Sequence, residues 1–238
     1  MTAQDRLRLE NVAKTFTMHL REGAQLPVME GVTFTVSAGK CVVLGGPSGI
    51  GKSSILKMIY GNYRTGSGRI LVRDADGWTD VATASPRRIL DLRNTTINYV
   101  SQFLRTIPRV SALDIVSNAA RANGRTEQDA IATARQYLAR LNVPERLWDL
   151  APATFSGGEQ QRVNIACGFA TARPIMLLDE PTASLDAANR KVVVELIEES
   201  KRRGAAILGI FHDEDVRARV SDEIIDVTTF QPQVTAHA

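Results

Sequence analysis

Eight consecutive residues, Gly46-Pro47-Ser48-Gly49-Ile50-Gly51-Lys52-Ser53, carry the spacing G-x-x-x-x-G-K-[ST]. They follow the apolar run Cys41-Val42-Val43-Leu44 and precede a helix-forming segment, so strand, loop and helix come in the order a phosphate-binding loop needs. Glycines let backbone N–H groups curl around a phosphate, and the start of the helix adds positive potential. Lys52 can then neutralise β and γ oxygens, Ser53 can ligate a Mg2+ bridging them, and Ser54 completes the candidate nucleotide contacts.

A second chemical element is acidic. Ile175-Met176-Leu177-Leu178 is wholly apolar, the mark of a strand buried on both faces, and it ends in Asp179-Glu180. Ligands of parallel sheets bind beyond the C-terminal ends of the strands, so these carboxylates stand at a binding edge. Asp179 is placed to hold Mg2+ directly or through water. Glu180, one residue on, is placed to polarise a water for in-line attack on a γ-phosphate. Together they predict hydrolysis as well as binding.

The third element is Ser156-Gly157-Gly158-Glu159, followed by Gln160-Gln161-Arg162. Ser-x-x-Glu before an apolar periodic run is a capping box, with Ser156 as N-cap and Glu159 as its reciprocal partner. Capping does not require the Gly157-Gly158 pair, which costs helix stability but leaves N–H groups open at a positive helix end. This is a second anion site. Two cradles so far apart in sequence can grip one γ-phosphate only if the intervening segment folds back or another subunit supplies one of them.

The elements that must position these groups follow from periodicity. Short β-rich segments are expected at Leu7 to Val12, Val32 to Val36, Lys40 to Leu44 and Arg69 to Val72, with one helix from Gly51 to about Tyr60. From roughly Phe103 to Ala153 the pattern turns helical, at Leu113 to Ala122 and Thr126 to Leu141, and predicts a lobe inserted into an α/β domain. An amphipathic helix from Gly157 to Ala172, a strand at Ile175 to Leu178, a helix from Ala187 to Arg203 and a strand at Ala205 to Phe211 then argue for a parallel sheet. Gln231 to Ala238 is expected to fray.

Composition sets the outer bounds. The 238 residues are 44% hydrophobic and 23% charged, as in ordinary soluble domains, which argues against disordered and fibrous classes. A net charge of +3 with scattered basic residues argues against nucleic acid as partner. Lys201-Arg202-Arg203 has a simpler role, complementing the end of a helix before Gly204. Cys41 and Cys167 imply neither a disulfide framework nor a metal cluster. With no apolar run of membrane-spanning length, the expected location is cytoplasmic, at most peripheral to a membrane.

The phosphate loop, a central Gln102, Ser-Gly-Gly-Glu-Gln, an apolar strand ending in Asp-Glu, Ser-Leu-Asp and then His212, in this order over almost the whole chain, resemble the ABC ATPase family. The resemblance implies an α/β P-loop NTPase fold: a RecA-like core with an antiparallel β subdomain (1–102 and 154–238) and an inserted helical subdomain (103–153). It implies ATP and Mg2+ as ligands, and a head-to-tail pairing with a second ABC subunit, identical or paralogous. In that pair Ser156, Gly157 and Gly158 of one subunit close over ATP held by Lys52 and Ser53 of the other. It further implies that Phe16 stacks on adenine, Gln102 contacts Mg2+ and the attacking water, Asp186 links the two sites and His212 holds the γ-phosphate. Phe155 and Phe211 stand where Leu and Thr are common in the family, and neither removes a catalytic group.

Within the family, Gly61-Asn62-Tyr63, the stretch from Tyr99 to Asp114 and the compact C-terminus are similar to the L-type subunits of the bacterial carbon-phosphorus lyase system. That likeness implies lyase core subunits as partners, in an ATP-dependent step toward a ribosyl phosphonate triphosphate. The alternative is a transport ATPase of the lipoprotein-release or macrolide-export type. Periodicity and spacing do not separate the two.

Overall fold

The computed structural model describes residues 4–18, 23–102, 104, 108–122 and 124–232. The lobe boundary at Phe103, part of the stretch from Tyr99 to Asp114 (103 and 105–107) and the tail 233–238 lie outside the described residues.

In chain order the elements are β1 (Asp5–Met18), β2 (Ala24–Ser37), β3 (Cys41–Gly45), α1 (Lys52–Ile59), β4 (Ser67–Asp74), β5 (Gly77–Asp80), α2 (Pro86–Thr95), β6 (Ile97–Val100), α3 (Ala112–Arg121) and α4 (Glu127–Arg140). They continue with α5 (Gly157–Thr171), β7 (Ile175–Asp179), α6 (Ala187–Arg202), β8 (Ala206–Ile210), α7 (Glu214–Val220) and β9 (Glu223–Asp226). β2-β1-β4-β5 form an antiparallel sheet, and β6-β7-β8-β3-β9 form a parallel one. Every expected strand and helix is present, with bounds shifted by a residue or two at most helix ends. β1 and β2 extend well past the expected segments because each gains hydrogen-bond partners along its length, with bulges absorbing the irregular pattern.

The parallel sheet divides two cores. Along β7, Ile175 and Leu177 face α1 and the antiparallel sheet, whereas Met176 and Leu178 face α5 and α6. This alternation of two apolar faces is why the strand carries no polar residue before Asp179. The expectation of an amphipathic α5 needs correction: Gln161, Val163, Asn164, Ile165, Ala166, Gly168, Phe169 and Ala170 are all buried. α5 is enclosed by α3 and α4 on one side and by β6 on the other, so its buried polar residues Gln161 and Asn164 are internal latches instead of part of a solvated face.

The segment after β6 forms the lobe of α3 and α4, followed by 3-10 turns at Glu145–Leu147 and Pro152–Thr154. Ser111 and Thr126 cap the two helices, each accepting from the backbone N–H three residues on. Arg140 on α4 then grips Glu199 on α6 with two hydrogen bonds, at 2.9 and 2.7 Å. Cys41 is a free thiol whose pKa burial pushes up to about 12.

Candidate active site

The topology alone gathers the predicted groups. β6, β7, β8 and β3 are hydrogen-bonded neighbours in that order. The segments leaving their C-terminal ends carry Gln102, Asp179-Glu180, His212 and the phosphate loop respectively.

The loop from Gly46 to Gly51 has the backbone its glycines permit: φ is 118° at Gly46, 82° at Gly49 and 105° at Gly51, a region side chains with a Cβ rarely adopt. Nothing lies within 4 Å of where a Cβ at Gly49 would stand, so the cradle is open there. Pro47, Ser48 and Gly49 are exposed while Ile50 packs into the core and anchors the loop from below. Lys52 is only 7% exposed, and its Nζ donates to the carbonyls of Gly46 and Pro47 at 2.7 and 2.8 Å. Burial pushes its pKa down, partly opposed by the nearby Glu180 carboxylate. A buried ammonium held by carbonyls of its own loop has a strong reason to turn toward phosphate oxygens.

Ser53 Oγ donates to Asp179 Oδ1 at 2.9 Å, and Tyr99 Oη donates to Asp179 Oδ2 at 2.6 Å. A buried carboxylate beside a hydroxyl supplies hard oxygen donors, the chemistry Mg2+ prefers when phosphate and water complete its shell. Among the described residues no group of three His, Cys, Asp or Glu could hold a metal by itself. Ser53 and Asp179 thus fit an ion shared with a nucleotide. Glu180 adopts a left-handed backbone, φ 52°, unusual for a residue with a side chain and typical of strain retained at functional sites. Its carboxylate meets both remaining predicted groups: Gln102 Nε2 donates to Oε2 at 3.1 Å, and His212 Nε2 lies 2.7 Å from Oε1. Glu180 and His212 line a cavity of about 250 Å³ with Thr182, Ala183, Arg190 and Asp213.

Ser156 caps α5 through the full capping box, its Oγ accepting from the Glu159 N–H and Glu159 Oε2 accepting from the Ser156 N–H at 2.9 Å. Hydrogen bonds from Ser156 hold the Glu159 carboxyl below its ordinary range. Gly158 has a packing reason, since a Cβ there would stand 3.2 Å from the Ser184 carbonyl. Gly157 has none: nothing lies within 4 Å and the residue is exposed. This N-terminus makes no hydrogen bond to the phosphate loop. Asp186 caps α6, accepting from the Asn189 N–H at 2.8 Å, and that bond with its companions lowers its pKa. Phe16 sits on β1, edge to face with Tyr63 at 5.4 Å and with Lys14 Nζ 4.6 Å from its ring centre.

The structure therefore brings together Lys52, Ser53, Gln102, Asp179, Glu180 and His212, and leaves Phe16, Asp186 and the element from Ser156 to Glu159 outside that cluster. Residues 29–183 match the ABC transporter family. The chain belongs to that family. It is 35% identical over 218 residues to the lipoprotein-releasing system ATP-binding protein LolD 2 of Caulobacter vibrioides, covering 91% of this chain and 90% of that protein. It is 33% identical over 221 residues to the macrolide export ATP-binding/permease protein MacB of Brucella melitensis, covering 93% of this chain and 33% of that one. A bacterial ABC transporter cassette solved as a dimer superposes with a TM-score of 0.82 at 26% identity, covering 93% of this chain and 94% of that one. This chain is an ATPase with the P-loop ABC fold.

Sequence reasoning missed several contributors. Tyr99 reaches Asp179, Gln161 Nε2 donates to the Pro181 carbonyl at 3.0 Å, and Asn164 Nδ2 donates to the Ser101 carbonyl at 2.6 Å. The two amides latch α5 to the loops that carry Glu180 and Gln102. Their signal was available as polar residues on a helix otherwise suited to burial, but a solvated face explains such residues equally well until the helix is seen enclosed.

Proposed function

We propose that this chain is the ATP-hydrolysing subunit of a transporter of the lipoprotein-release or macrolide-export type, and that it works as a head-to-tail pair of copies at the membrane surface. The observation that carries the reading is a division: Ser53, Gln102, Asp179, Glu180 and His212 are joined by hydrogen bonds on one side, while the capped helix end at Ser156 and Gly157 is exposed and is not brought to them by the same chain. Relatives from lipoprotein release and macrolide export support the transport context. No described helix is long and apolar enough to cross a membrane, so in this reading the membrane path belongs to partner subunits.

In the proposed cycle the loop from Gly46 to Ser54 wraps the phosphates of ATP, with Lys52 leaving its loop carbonyls for the β and γ oxygens. Phe16 supplies an aromatic ring for adenine. Ser53, Asp179 and Gln102 would hold Mg2+, which when bound supplies charge neutralisation between the phosphates. Glu180 accepts a proton from the attacking water, Gln102 orients that water and His212 exchanges its contact with Glu180 for the γ-phosphate. The partner copy closes its Ser156 to Gly158 helix end over the same phosphate, with Asp186 at the seam between the sites.

The lyase reading rests on the Gly61-Asn62-Tyr63 and Tyr99 to Asp114 segments, part of which lies outside the described residues, and the relatives from lipoprotein release and macrolide export favour transport over it. Isolating the native complex and identifying its companions decides between them. Copurification with permease-like membrane subunits is the expected result; lyase subunits in their place would overturn the transport reading.

A further inference from the structure

We infer that Tyr99 is a positioning residue for Asp179, and that Tyr60 and Arg93 hold its ring in place. The register explains why this residue can do it. Tyr99 pairs with Leu177 across β6 and β7, so its side chain shares a face with Leu177 and with Asp179 two residues further along. Two residues along a strand span about 6.6 Å, and a phenol ring laid along the strand covers that gap where a shorter side chain would not. Its hydroxyl donates to Asp179 Oδ2 at 2.6 Å while Ser53 Oγ holds Oδ1 at 2.9 Å. Each carboxylate oxygen is thereby fixed by a different element, and the plane of the carboxylate is set.

The ring is itself held. Tyr60, at the end of α1, stacks on Tyr99 with centroids 5.2 Å apart and planes 28° from parallel. Arg93 from α2 lies over the Tyr60 ring, 4.4 Å from its centroid, and is pinned by donating to the Tyr60 carbonyl and to Asn62 Oδ1, both at 2.9 Å. A guanidinium and two rings stack in turn, and the hydroxyl of the second ring joins them to the Asp179 carboxylate, one chain of contacts from α2 to the end of β7. Hydrogen bonds that orient a metal-binding carboxylate commonly matter to metal affinity by about tenfold or more. The inference rests on Asp179 being a metal ligand.

The test is Mn2+ binding followed by electron paramagnetic resonance on the full chain with a non-hydrolysable ATP analogue. Tyr99→Phe keeps the ring and removes the hydroxyl, and should raise the Mn2+ concentration for half-saturation about tenfold. Nucleotide affinity in EDTA should not move. Tyr60→Leu should give a smaller increase in the same direction. A Tyr99→Phe titration that superimposes on the unchanged protein overturns the inference. So does a shift matched by equal loss of metal-free nucleotide affinity. An Asp179→Asn chain that binds Mn2+ undiminished would overturn the metal-site reading itself, and this inference with it.

Discussion

In the proposed cycle Glu180 is the residue on which hydrolysis turns. Its left-handed backbone, its place one residue beyond β7 and its contacts to Gln102 and His212 leave few other jobs for it. Glu180→Gln keeps the shape and the hydrogen bond to Gln102 but cannot accept a proton. Steady-state phosphate release should fall by about a hundredfold or more while ATP binding persists; undiminished turnover would remove Glu180 as the base. Lys52→Ala should act earlier, weakening ATP binding itself by roughly 2 kcal/mol, since it deletes a charge-assisted contact. Unchanged affinity by calorimetry would contradict the assignment of the phosphate loop. Both residues are legible in the sequence because their chemistry dictates residue type and spacing together. Tyr99 is not, because nothing local distinguishes a strand tyrosine in a core from one aimed at a carboxylate two positions along the neighbouring strand.

At the scale of elements, α5 joins the helical lobe to the sheet, and its fit is tight at Gly168. A Cβ there would stand 2.3 Å from Val100 Cγ2 on β6. Gly168→Ala should therefore destabilise the fold by roughly 1–3 kcal/mol through overpacking, seen as a lowered urea midpoint; an unchanged midpoint would show that β6 yields. The Arg140–Glu199 pair spans lobe and core with both side chains about 30% exposed, so screening limits it to about 1 kcal/mol. Arg140's hydrogen bonds hold the Glu199 carboxyl below its ordinary range against the opposing effect of burial. The lowered carboxyl contributes stability above its unfolded value of about 4.3 and loses it as the pH falls through the folded value. The stability gap between the unchanged chain and Arg140→Ala should accordingly be present at neutral pH and shrink below about pH 4.3; a gap that widened in acid would contradict this. Periodicity found α1 and α3 to α6 but not α2, α7, β5 or β9. α2 buries only Leu92, α7, β5 and β9 are short, and β9 is edge-on and largely exposed, so β9 is held by pairing with β3 more than by side-chain burial.

For the whole molecule, the order of motifs along the chain made readable the fold class and the gathering of Ser53, Gln102, Asp179, Glu180 and His212, because a parallel sheet delivers every strand end to one edge. The relation between the two anion sites was readable only as a requirement. The structure leaves that requirement standing, with Ser156 and Gly157 exposed and engaged in capping alone. In the proposed pairing, burying a γ-phosphate between two positive helix ends takes a second subunit, and ATP becomes part of the interface it holds together. Sedimentation of the Glu180→Gln chain, with and without ATP, measures this directly. A mass that doubles only with ATP, and reverts when Ser156→Arg is added to block the second helix end, is the predicted result. A unit-mass species that encloses and cleaves ATP in the unmutated chain would contradict it.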